Sequence, residues 1–283
     1  MNSILIVSIC YNNKLFFDSY QFFLFTCAFV LLRYMNKEFH QLENNIAGEG
    51  FLPGLAIDTV IFGFHDNQLK VLLLAYKNTG LYALPGGFIH DNEDVNEAAR
   101  RVLQSRTALT NIYLEQFYVF GNYSRYDPGP LKAIMQARGY NPPSHHWLLK
   151  RFISVGYYAL VDFTKAIPTP DEISDSCDWY SLNELPALMQ DHQQIINKAL
   201  ETLQNELDQK LIGFNLMTEE FTMGDLQSLY ETILNKKLIR AAFQRKMLGL
   251  GILERVAKKW TGGAHKAPYL YRFVSNRLPA DNS

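Results

Sequence analysis

Aromatic and charged residues near the middle of the chain have the composition of a small-molecule binding site. They lie after one predicted strand and before the next, and they comprise Tyr123, Arg125, Tyr126, Asp127, Lys150 and Arg151. Aromatic rings with a few convergent polar groups are typical of pockets that bind small ligands. We therefore expect Arg125, Tyr126 and Arg151 to contact a ligand, with ordinary surface positions on a loop and at strand ends as the open alternative.

The basic residues are concentrated near the C-terminus. Residues 235–277 contain eleven Lys or Arg and one acidic residue, whereas residues 1–234 contain sixteen Lys or Arg and twenty-six acidic residues. The net charge of −1 is therefore the sum of an acidic N-terminal part and a basic C-terminal part, whose net charges are opposite. This asymmetry predicts that the basic part binds a polyanion, with a solvated basic face as the alternative.

The three cysteines and the N-terminal segment indicate in which cellular compartment the protein is expected. Widely spaced cysteines without a CxxC pair indicate neither a disulfide framework nor a zinc site, and they favour a reducing cytoplasm. The apolar run from Phe22 to Leu32 is shorter than the roughly 20 residues of a membrane span. Residues 1–34 also lack the features of a signal peptide. We expect no membrane partner and a true start at Met35, with an interfacial anchor as the alternative.

The strands that must position these residues are recognisable from their apolar patterns. Residues 55–64 and 69–75 read as two strands, and the turn at 65–68 joins them into a hairpin. Further strands are predicted at 113–121 and 153–161. The second of these is almost continuously apolar, which suits a sheet that is covered on both faces.

Two helices and one irregular loop complete this part of the chain. Asp91 or Asn92 is the expected N-cap of the first helix, whose apolar residues repeat with helical spacing at positions 95, 98, 99, 102, 103 and 109. A second helix is predicted near 187–207. Four prolines predict a long loop without regular structure over 128–149.

Five residues around the first helix fall at the spacing of the Nudix signature, G-x(5)-E-x(7)-R-E-U-x-E-E-x-G-U. They are Gly87, Glu93, Arg101, Leu103 and Leu109, and Leu84-Pro85-Gly86 precedes them as in that family. The stretch from Trp179 to Pro186 also resembles the end of Nudix domains. The resemblance implies an α/β/α sandwich with a mixed sheet over residues 50–208. It further implies that Glu93 and Arg101 brace the loop against the helix, and we count both among the ligand-site residues.

The glutamates that hold a divalent metal in active Nudix enzymes are replaced here by Val102, Ser105 and Arg106. Their i, i+3, i+4 spacing puts all three on one helix face, and Mg²⁺ requires hard oxygen ligands. The resemblance therefore implies no catalytic residue, no metal and no cofactor. Arg106 could instead bind an anionic or polyhydroxylated ligand, with a solvated helix arginine as the alternative. A Nudix hydrolase of a nucleoside diphosphate derivative, with a non-standard Mg²⁺ site, is the alternative function.

The C-terminal part of the chain has the element order of a winged helix. We expect it over 217–277, after a linker at 209–216. The predicted elements are a helix capped by Thr222, a helix over 238–248, and strands over 252–256 and 269–274. On the second helix, Ala242 and Phe243 are expected to face inward.

Charged and polar residues occur where such a domain would contact DNA. They lie on the second helix and around the tip of the hairpin: Arg240, Gln244, Arg245, Lys246, Lys258, Lys259 and Lys266. The expected docking places the helix in a groove and the hairpin on the phosphate backbone. A helical bundle with a basic patch for RNA or a membrane is the alternative.

The segments 221–254 and 266–273 closely resemble the C-terminal domain of the Nudix-related transcriptional regulators. The resemblance covers about residues 52–275 and implies a cytoplasmic regulator that binds a double-stranded DNA operator as a homodimer. Its implied effector is a pentose or an ADP-ribose-like nucleotide, and the missing metal carboxylates slightly favour the sugar. Ile239, Ala241 and Ala242 stand where the family often has polar residues, so no operator sequence is carried over. An interaction module with neither ligand nor DNA is a third possibility.

Overall fold

The protein is described by a computed structural model. The described residues are 45, 47–110, 112–171, 173–207, 216–258 and 267–274. The predictions for residues 1–34, for nearly all of the linker and for Lys259 and Lys266 lie outside these residues. Within the described ranges, no helix has both the length and the apolar character that a bilayer crossing requires.

The first domain is built on a seven-stranded mixed sheet. Its strands are β1 (Phe51–His65), β2 (Gln68–Tyr76), β3 (Leu81–Ala83), β4 (Gly86–His90), β5 (Tyr113–Phe120), β6 (Ile153–Val161) and β7 (Ser174–Ser181). The strand order is β3-β2-β1-β6-β5, with β4 paired to β1 and β7 paired to β2. β1 and β6 are parallel, and the other pairs are antiparallel. The predicted mixed α/β fold is therefore confirmed.

Helices cover both faces of this sheet. They are α1 (Val95–Thr107), α2 (Gly129–Ala137) and α3 (His192–Glu206). On β6, Val155 and Tyr157 pack in the cluster that contains α1, whereas Tyr158 and Leu160 pack in the cluster that contains α3. Successive residues of a strand point to opposite faces. The continuous apolar run of β6 thus reflects burial on both sides, as predicted.

The predicted turn between β1 and β2 is confirmed, but the predicted N-cap of α1 is wrong. Residues 66–67 have φ values of 50° and 56°, which are typical of the two-residue turns that join hairpins. The N-cap of α1 is Asp94 rather than Asp91 or Asn92. Asp94 and Glu97 form a capping box in which each side chain binds a backbone N–H of the first turn.

The prediction of an irregular loop over 128–149 is also wrong, because α2 lies within it. Pro130 occupies the first turn of α2, where a helix does not need the backbone N–H that proline lacks. The prolines therefore mark the start of a helix here rather than the absence of one.

The second domain has the winged-helix arrangement. Its elements are β8 (Phe221–Thr222), α4 (Met223–Leu234), α5 (Arg240–Gly249), β9 (Leu253–Lys258) and β10 (Tyr269–Phe273). The strands form a sheet in the order β8-β10-β9. Thr222 caps α4, as predicted, and its hydroxyl accepts a hydrogen bond from the backbone N–H of Asp225.

The helix α5 contacts the rest of its domain through Phe243 and Met247, so the predicted inward position of Ala242 is wrong. Phe243 is 5% and Met247 1% exposed, whereas Ala242 is exposed. The spacing of four places the two buried residues on one side of the helix. The ring of Phe243 packs against Tyr230 of α4, with 5.2 Å between centroids. Most of the remaining surface of α5 faces solvent.

The buried cores of the two domains are continuous. Buried residues of α4, such as Leu229, belong to the same cluster as those of β1, β2 and α3. The hydroxyl of Thr232 donates to the carbonyl of Asn67, in the hairpin turn, at 3.1 Å. The amide Nε2 of Gln204 on α3 donates to the carbonyl of Ile233 at 2.7 Å. The helix α4 is thus fixed to the first domain at two points.

Candidate ligand site and nucleic-acid interface

The glycine loop of the Nudix-like motif lies directly against its neighbours. A Cβ atom on Gly87 would be 2.8 Å from Cγ2 of Val102, and a Cβ atom on Gly86 would be 2.8 Å from the carbonyl oxygen of Ile57. Only glycine permits an approach this close. The loop therefore fixes β4 against both β1 and α1.

Glu93 and Arg101 form a brace between β4 and α1. Nε of Arg101 donates to Oε1 of Glu93 at 2.7 Å, and Nη2 donates to Oε2 of Glu93 and to the carbonyl of Phe88, both at 2.8 Å. The hydrogen bond from Arg101 is the largest of the effects that lower the pKa of Glu93. Because both groups are engaged within the protein, a contact of either with a ligand stays a prediction.

The residues at the metal positions of the Nudix signature do not fit Mg²⁺. Val102 is 2% exposed and lies in the core, and the hydroxyl of Ser105 donates to the carbonyl of Val102 at 2.8 Å. Arg106 adds a positive charge where hard oxygen ligands are required. Among the described residues, no group of three or more His, Cys, Asp or Glu is arranged to hold a metal ion.

Arg106 is buried, so its alternative interpretation as a solvated helix arginine is wrong. Its side chain is 10% exposed, and Nη2 is 3.4 Å from Oδ2 of Asp171. Nε and Nη1 are buried and have no hydrogen-bond partner. Buried donors are nearly always satisfied in folded proteins, since an unsatisfied one is costly. These orphaned donors make Arg106 a candidate contact for an anion or a polar group of a ligand.

Arg125 lies in a buried ion network rather than at an open pocket. Nε and Nη2 donate to the two carboxylate oxygens of Asp191 at 2.9 and 3.1 Å, and Nη1 donates to the carbonyl of Phe152 at 2.9 Å. Oδ2 of Asp58 is 3.5 Å from Nη2 and accepts a hydrogen bond of 2.5 Å from Ser154. Every nitrogen of the guanidinium is thus engaged within the protein.

His192 completes this network as a neutral side chain. Its Nδ1 accepts a hydrogen bond from the backbone N–H of Leu84 at 2.9 Å, and Nε2 is 3.7 Å from Oδ1 of Asp58. Burial lowers the pKa of His192, against the opposing effects of Asp58 and Asp191. Sequence reasoning missed Asp58, Asp191 and His192. Asp58 could have been found, because it is a carboxylate within the otherwise apolar strand β1. Charged residues are rarely buried without a partner, so its position indicates a buried cation nearby.

We expect His192 to make the stability of the protein depend on pH. Its folded-state pKa lies below the ordinary value of 6.5, so below that pH the unfolded chain takes up a proton that the folded chain excludes. The stabilisation is complete above the ordinary pKa and is lost as the pH falls toward the folded-state pKa. Unfolding in urea at about pH 7.5 and about pH 5.5 should show a larger loss of stability on acidification for the wild type than for His192→Gln. Equal losses would contradict a buried neutral histidine.

The remaining predicted ligand residues, Tyr126 and Arg151, lie nearer the surface. The hydroxyl of Tyr126 donates to the carbonyl of Leu149 at 3.0 Å. Nη2 of the exposed Arg151 donates to the carbonyl of Gly121 at 2.6 Å, and its guanidinium lies 5.5 Å from the ring centroid of Tyr123. The structure therefore separates the predicted set into a buried network, a brace and a surface cluster.

Tyr76, at the end of β2, is coupled electrostatically to several of the charged groups. Burial raises its pKa, Asp171 and Asp58 raise it further, and Arg106 lowers it. Arg106 pairs with Asp171, and Arg125 pairs with Asp58. We call these groups the Tyr76 cluster: Tyr76, Arg106, Asp171, Asp58 and Arg125. Within the cluster, Arg106 is the candidate ligand contact, because the guanidinium of Arg125 is fully engaged.

A cavity of about 520 Å³ lies elsewhere, beside the start of α1. Its polar lining includes Asn96, Arg100 and Gln116, together with Tyr157 of β6. The hydroxyl of Tyr157 donates to Oδ1 of Asn96 at 2.6 Å. None of the predicted ligand residues lines this cavity, which makes it a second candidate ligand site.

The predicted DNA-contacting residues that the structure describes are accessible on the second domain. Arg240, Arg245, Lys246 and Lys258 are exposed, and Gln244 is half-buried. Arg245 lies midway along α5 between the two buried residues of that helix. Two residues correspond to about half a turn, so Arg245 points away from the core.

The turn between α4 and α5 is held by the carboxylate of Glu231. Its oxygens accept hydrogen bonds from Nε2 of Gln227 at 2.9 Å, from the backbone N–H of Leu238 at 2.9 Å and from Nζ of Lys237 at 2.8 Å. These contacts lower the pKa of Glu231 to about 2, and the hydrogen bond from Lys237 has the largest effect. The orientation of α5 on α4 is therefore fixed by a charged group that stays ionised at physiological pH.

A Nudix fold without metal-binding carboxylates, joined to a winged helix with an exposed basic helix, defines a class of two-domain regulators. The NUDIX domain family matches residues 53–202, and the NrtR DNA-binding winged helix domain matches residues 213–273. The chain belongs to the NrtR family of transcriptional regulators.

Curated and solved relatives agree with this assignment. The chain is 31% identical over 229 residues to the ADPR responsive transcriptional repressor NtrR of Acinetobacter baylyi, covering 78% of this chain and 82% of the relative. The crystal structure of Shewanella oneidensis NrtR superposes with a TM-score of 0.62 at 29% identity, covering 79% of this chain and 95% of that one. The same protein complexed with a 27mer DNA gives a TM-score of 0.61 at 27% identity, with 79% and 94% covered.

Proposed function

We propose that this regulator binds operator DNA through α5 and the β9–β10 hairpin, and that an ADP-ribose-like effector in the Nudix-like domain changes its affinity for DNA. The exposed basic surface of α5, on a helix pair packed against the Nudix-like core, carries the DNA part of the proposal. The exposed Lys258 is a proposed phosphate contact, as are Lys259 and Lys266, which lie outside the described residues. A homodimer on a two-fold operator would double these contacts.

The nature of the effector is supported by the Tyr76 cluster and by a relative. The name of the Acinetobacter protein describes it as ADPR responsive, which favours a nucleotide over the pentose that the missing carboxylates suggested. A pyrophosphate needs cations when Mg²⁺ is not held by the protein, and the guanidinium of Arg106 has two free buried donors. We propose that Arg106 supplies this charge.

A thermal-shift series tests the effector proposal. ADP-ribose, arabinose and xylose are compared with and without Mg²⁺, and a ligand at about 100 times its dissociation constant stabilises the folded state by about 2.7 kcal/mol. We expect a shift with ADP-ribose that does not require Mg²⁺ and no shift with the pentoses. A shift with a pentose alone would contradict the nucleotide proposal.

Two matched variants on α1 identify the site. Arg106→Gln removes the buried cation on α1, whereas Arg100→Gln removes an exposed cation that lines the separate cavity. We expect only Arg106→Gln to abolish the ADP-ribose shift. Loss of the shift in Arg100→Gln alone would move the ligand to the cavity beside the start of α1.

We expect no hydrolysis of nucleoside diphosphate derivatives. Purified protein with Mg²⁺ or Mn²⁺ should release no product above background from ADP-ribose, NADH or nucleoside diphosphate sugars, because Val102, Ser105 and Arg106 cannot hold the metal. Product formation is measured by chromatography of the reaction mixture. A turnover number in the usual enzyme range of about 1 per second or more would establish the alternative function, a Nudix hydrolase with a non-standard metal site.

A further inference from the structure

The two ends of α5 carry exposed apolar side chains. Ile239, the N-cap of α5, is 78% exposed, and Leu248 near the other end is 40% exposed. Ala241 and Ala242 in the first turn are exposed as well. Arg245 is the charged residue that points furthest from the buried side. We call the exposed apolar residues at the start of α5 the Ile239 patch: Ile239, Ala241 and Ala242.

The Ile239 patch has no packing role within the described part of the chain. The buried side of α5 is formed by Phe243 and Met247, and the turn that precedes α5 is held by Glu231 through polar contacts. Single exposed apolar residues are common on proteins, but an isoleucine that is 78% exposed at the start of a helix gains nothing from the fold. Its side chain is free to contact a partner.

The charges around the patch select the partner. Arg240 and Lys246 are exposed on the same helix, and residues 235–277 carry eleven Lys or Arg against one acidic residue. A second copy of this chain would bring like charges together at this face. The charges favour a polyanion, and the apolar residues favour one that exposes an apolar group where a helix can reach it. The major groove of DNA admits a helix and exposes the 5-methyl group of thymine.

We propose that α5 recognises thymine methyl groups in the major groove, with Ile239 in van der Waals contact with at least one of them. The proposal rests on the DNA binding proposed above and assigns it a base specificity. The first residues of a recognition helix lie closest to the base edges, which is where the patch lies. Ala241 and Ala242 allow the backbone of α5 to approach the groove, because neither side chain extends beyond Cβ.

Replacement of thymine by deoxyuridine tests this proposal, since it removes the methyl group and leaves every hydrogen-bonding group unchanged. A duplex is first selected from a random library with the full chain, and each thymine is then replaced in turn. Burial of one methyl group is worth about 0.8 kcal/mol, so we expect an approximately fourfold loss of affinity at one or more positions. In Ile239→Ala, the same replacement should have no effect, and the variant should bind the deoxyuridine duplex as the wild type does.

Leu250→Ala is the matched control. Leu250 is 44% exposed at the opposite end of α5, and its variant should retain the full response to deoxyuridine. A wild type that is insensitive to deoxyuridine at every position would overturn the proposal, as would an unchanged response in Ile239→Ala. A change in oligomeric state in Ile239→Ala, with the deoxyuridine response intact, would assign the patch to self-association instead. Failure to select any duplex would contradict DNA binding itself.

Discussion

Arg125→Met should lower the free energy of unfolding by about 3–5 kcal/mol, because it leaves buried carboxylates without their cation. The side chain of Arg125 is 8% exposed, and the side chains of Asp58 and Asp191 are each 11% exposed. Methionine preserves most of the volume of the stem but none of the hydrogen bonds. Urea unfolding monitored by circular dichroism measures the difference.

Arg151→Met provides the matched control, because Arg151 was predicted from the sequence to belong to the same pocket. Arg151 is exposed and makes one hydrogen bond, to the carbonyl of Gly121. A substitution of this kind usually changes stability by no more than about 0.5 kcal/mol. If Arg125→Met were as stable as Arg151→Met and had lost only its response to ADP-ribose, Arg125 would be a ligand residue rather than a structural one.

The second large effect is expected on DNA binding. Arg245→Ala should weaken binding to the selected duplex by about 1–3 kcal/mol and have a smaller effect on a scrambled duplex, since an arginine on the outer side of a recognition helix can bind a guanine edge. Arg245 is exposed and lies opposite the buried contacts of α5. Fluorescence anisotropy with both duplexes measures the two affinities.

Lys258→Ala should behave differently, because Lys258 lies at the end of β9 where the hairpin would meet the phosphates. Its loss should weaken all sequences alike and reduce the salt dependence of binding by about one unit of slope. An equal loss on both duplexes in Arg245→Ala would assign Arg245 to the phosphate backbone. No binding to either duplex at low salt would contradict the DNA proposal as a whole.

The predicted strands and helix types were largely confirmed because they depend on local patterns. The hairpin turn, β6 and the cap at Thr222 each follow from the types of adjacent residues. Placement of Arg125 could not be predicted, because its partners Asp191 and Asp58 are separated from it by 66 and 67 positions. The burial of Arg106 did have a local signal: it continues the helix face of Val102 and Leu103.

The wrong predictions have physical causes that can be stated. The prolines of 128–149 predict a loop, but proline in a first turn is compatible with the start of a helix. The N-cap of α1 was misplaced because several Asp and Asn residues precede it, and only Asp94 has a glutamate three residues later. The sequence predicts Ala242 and Phe243 on the inward side of α5; Phe243 is buried, but its buried companion is Met247. Apolar character alone does not distinguish the face of a helix that docks from the face that is exposed.

The attachment of α4 to the first domain has a consequence for recombinant chimeras. A graft that exchanges the sensor of one regulator for another is usually cut at the linker between domains, which here would separate α4 from β2 and α3. Such a cut would remove the partners of Asn67 and Gln204 and expose apolar surface on both fragments. A crossover after Leu234 would instead cut the contacts of Glu231 with Lys237 and Leu238 and the packing of Tyr230 on Phe243. Since α4 is packed on both sides, a chimera with a new sensor has to keep the winged helix whole and provide a matching surface for α4.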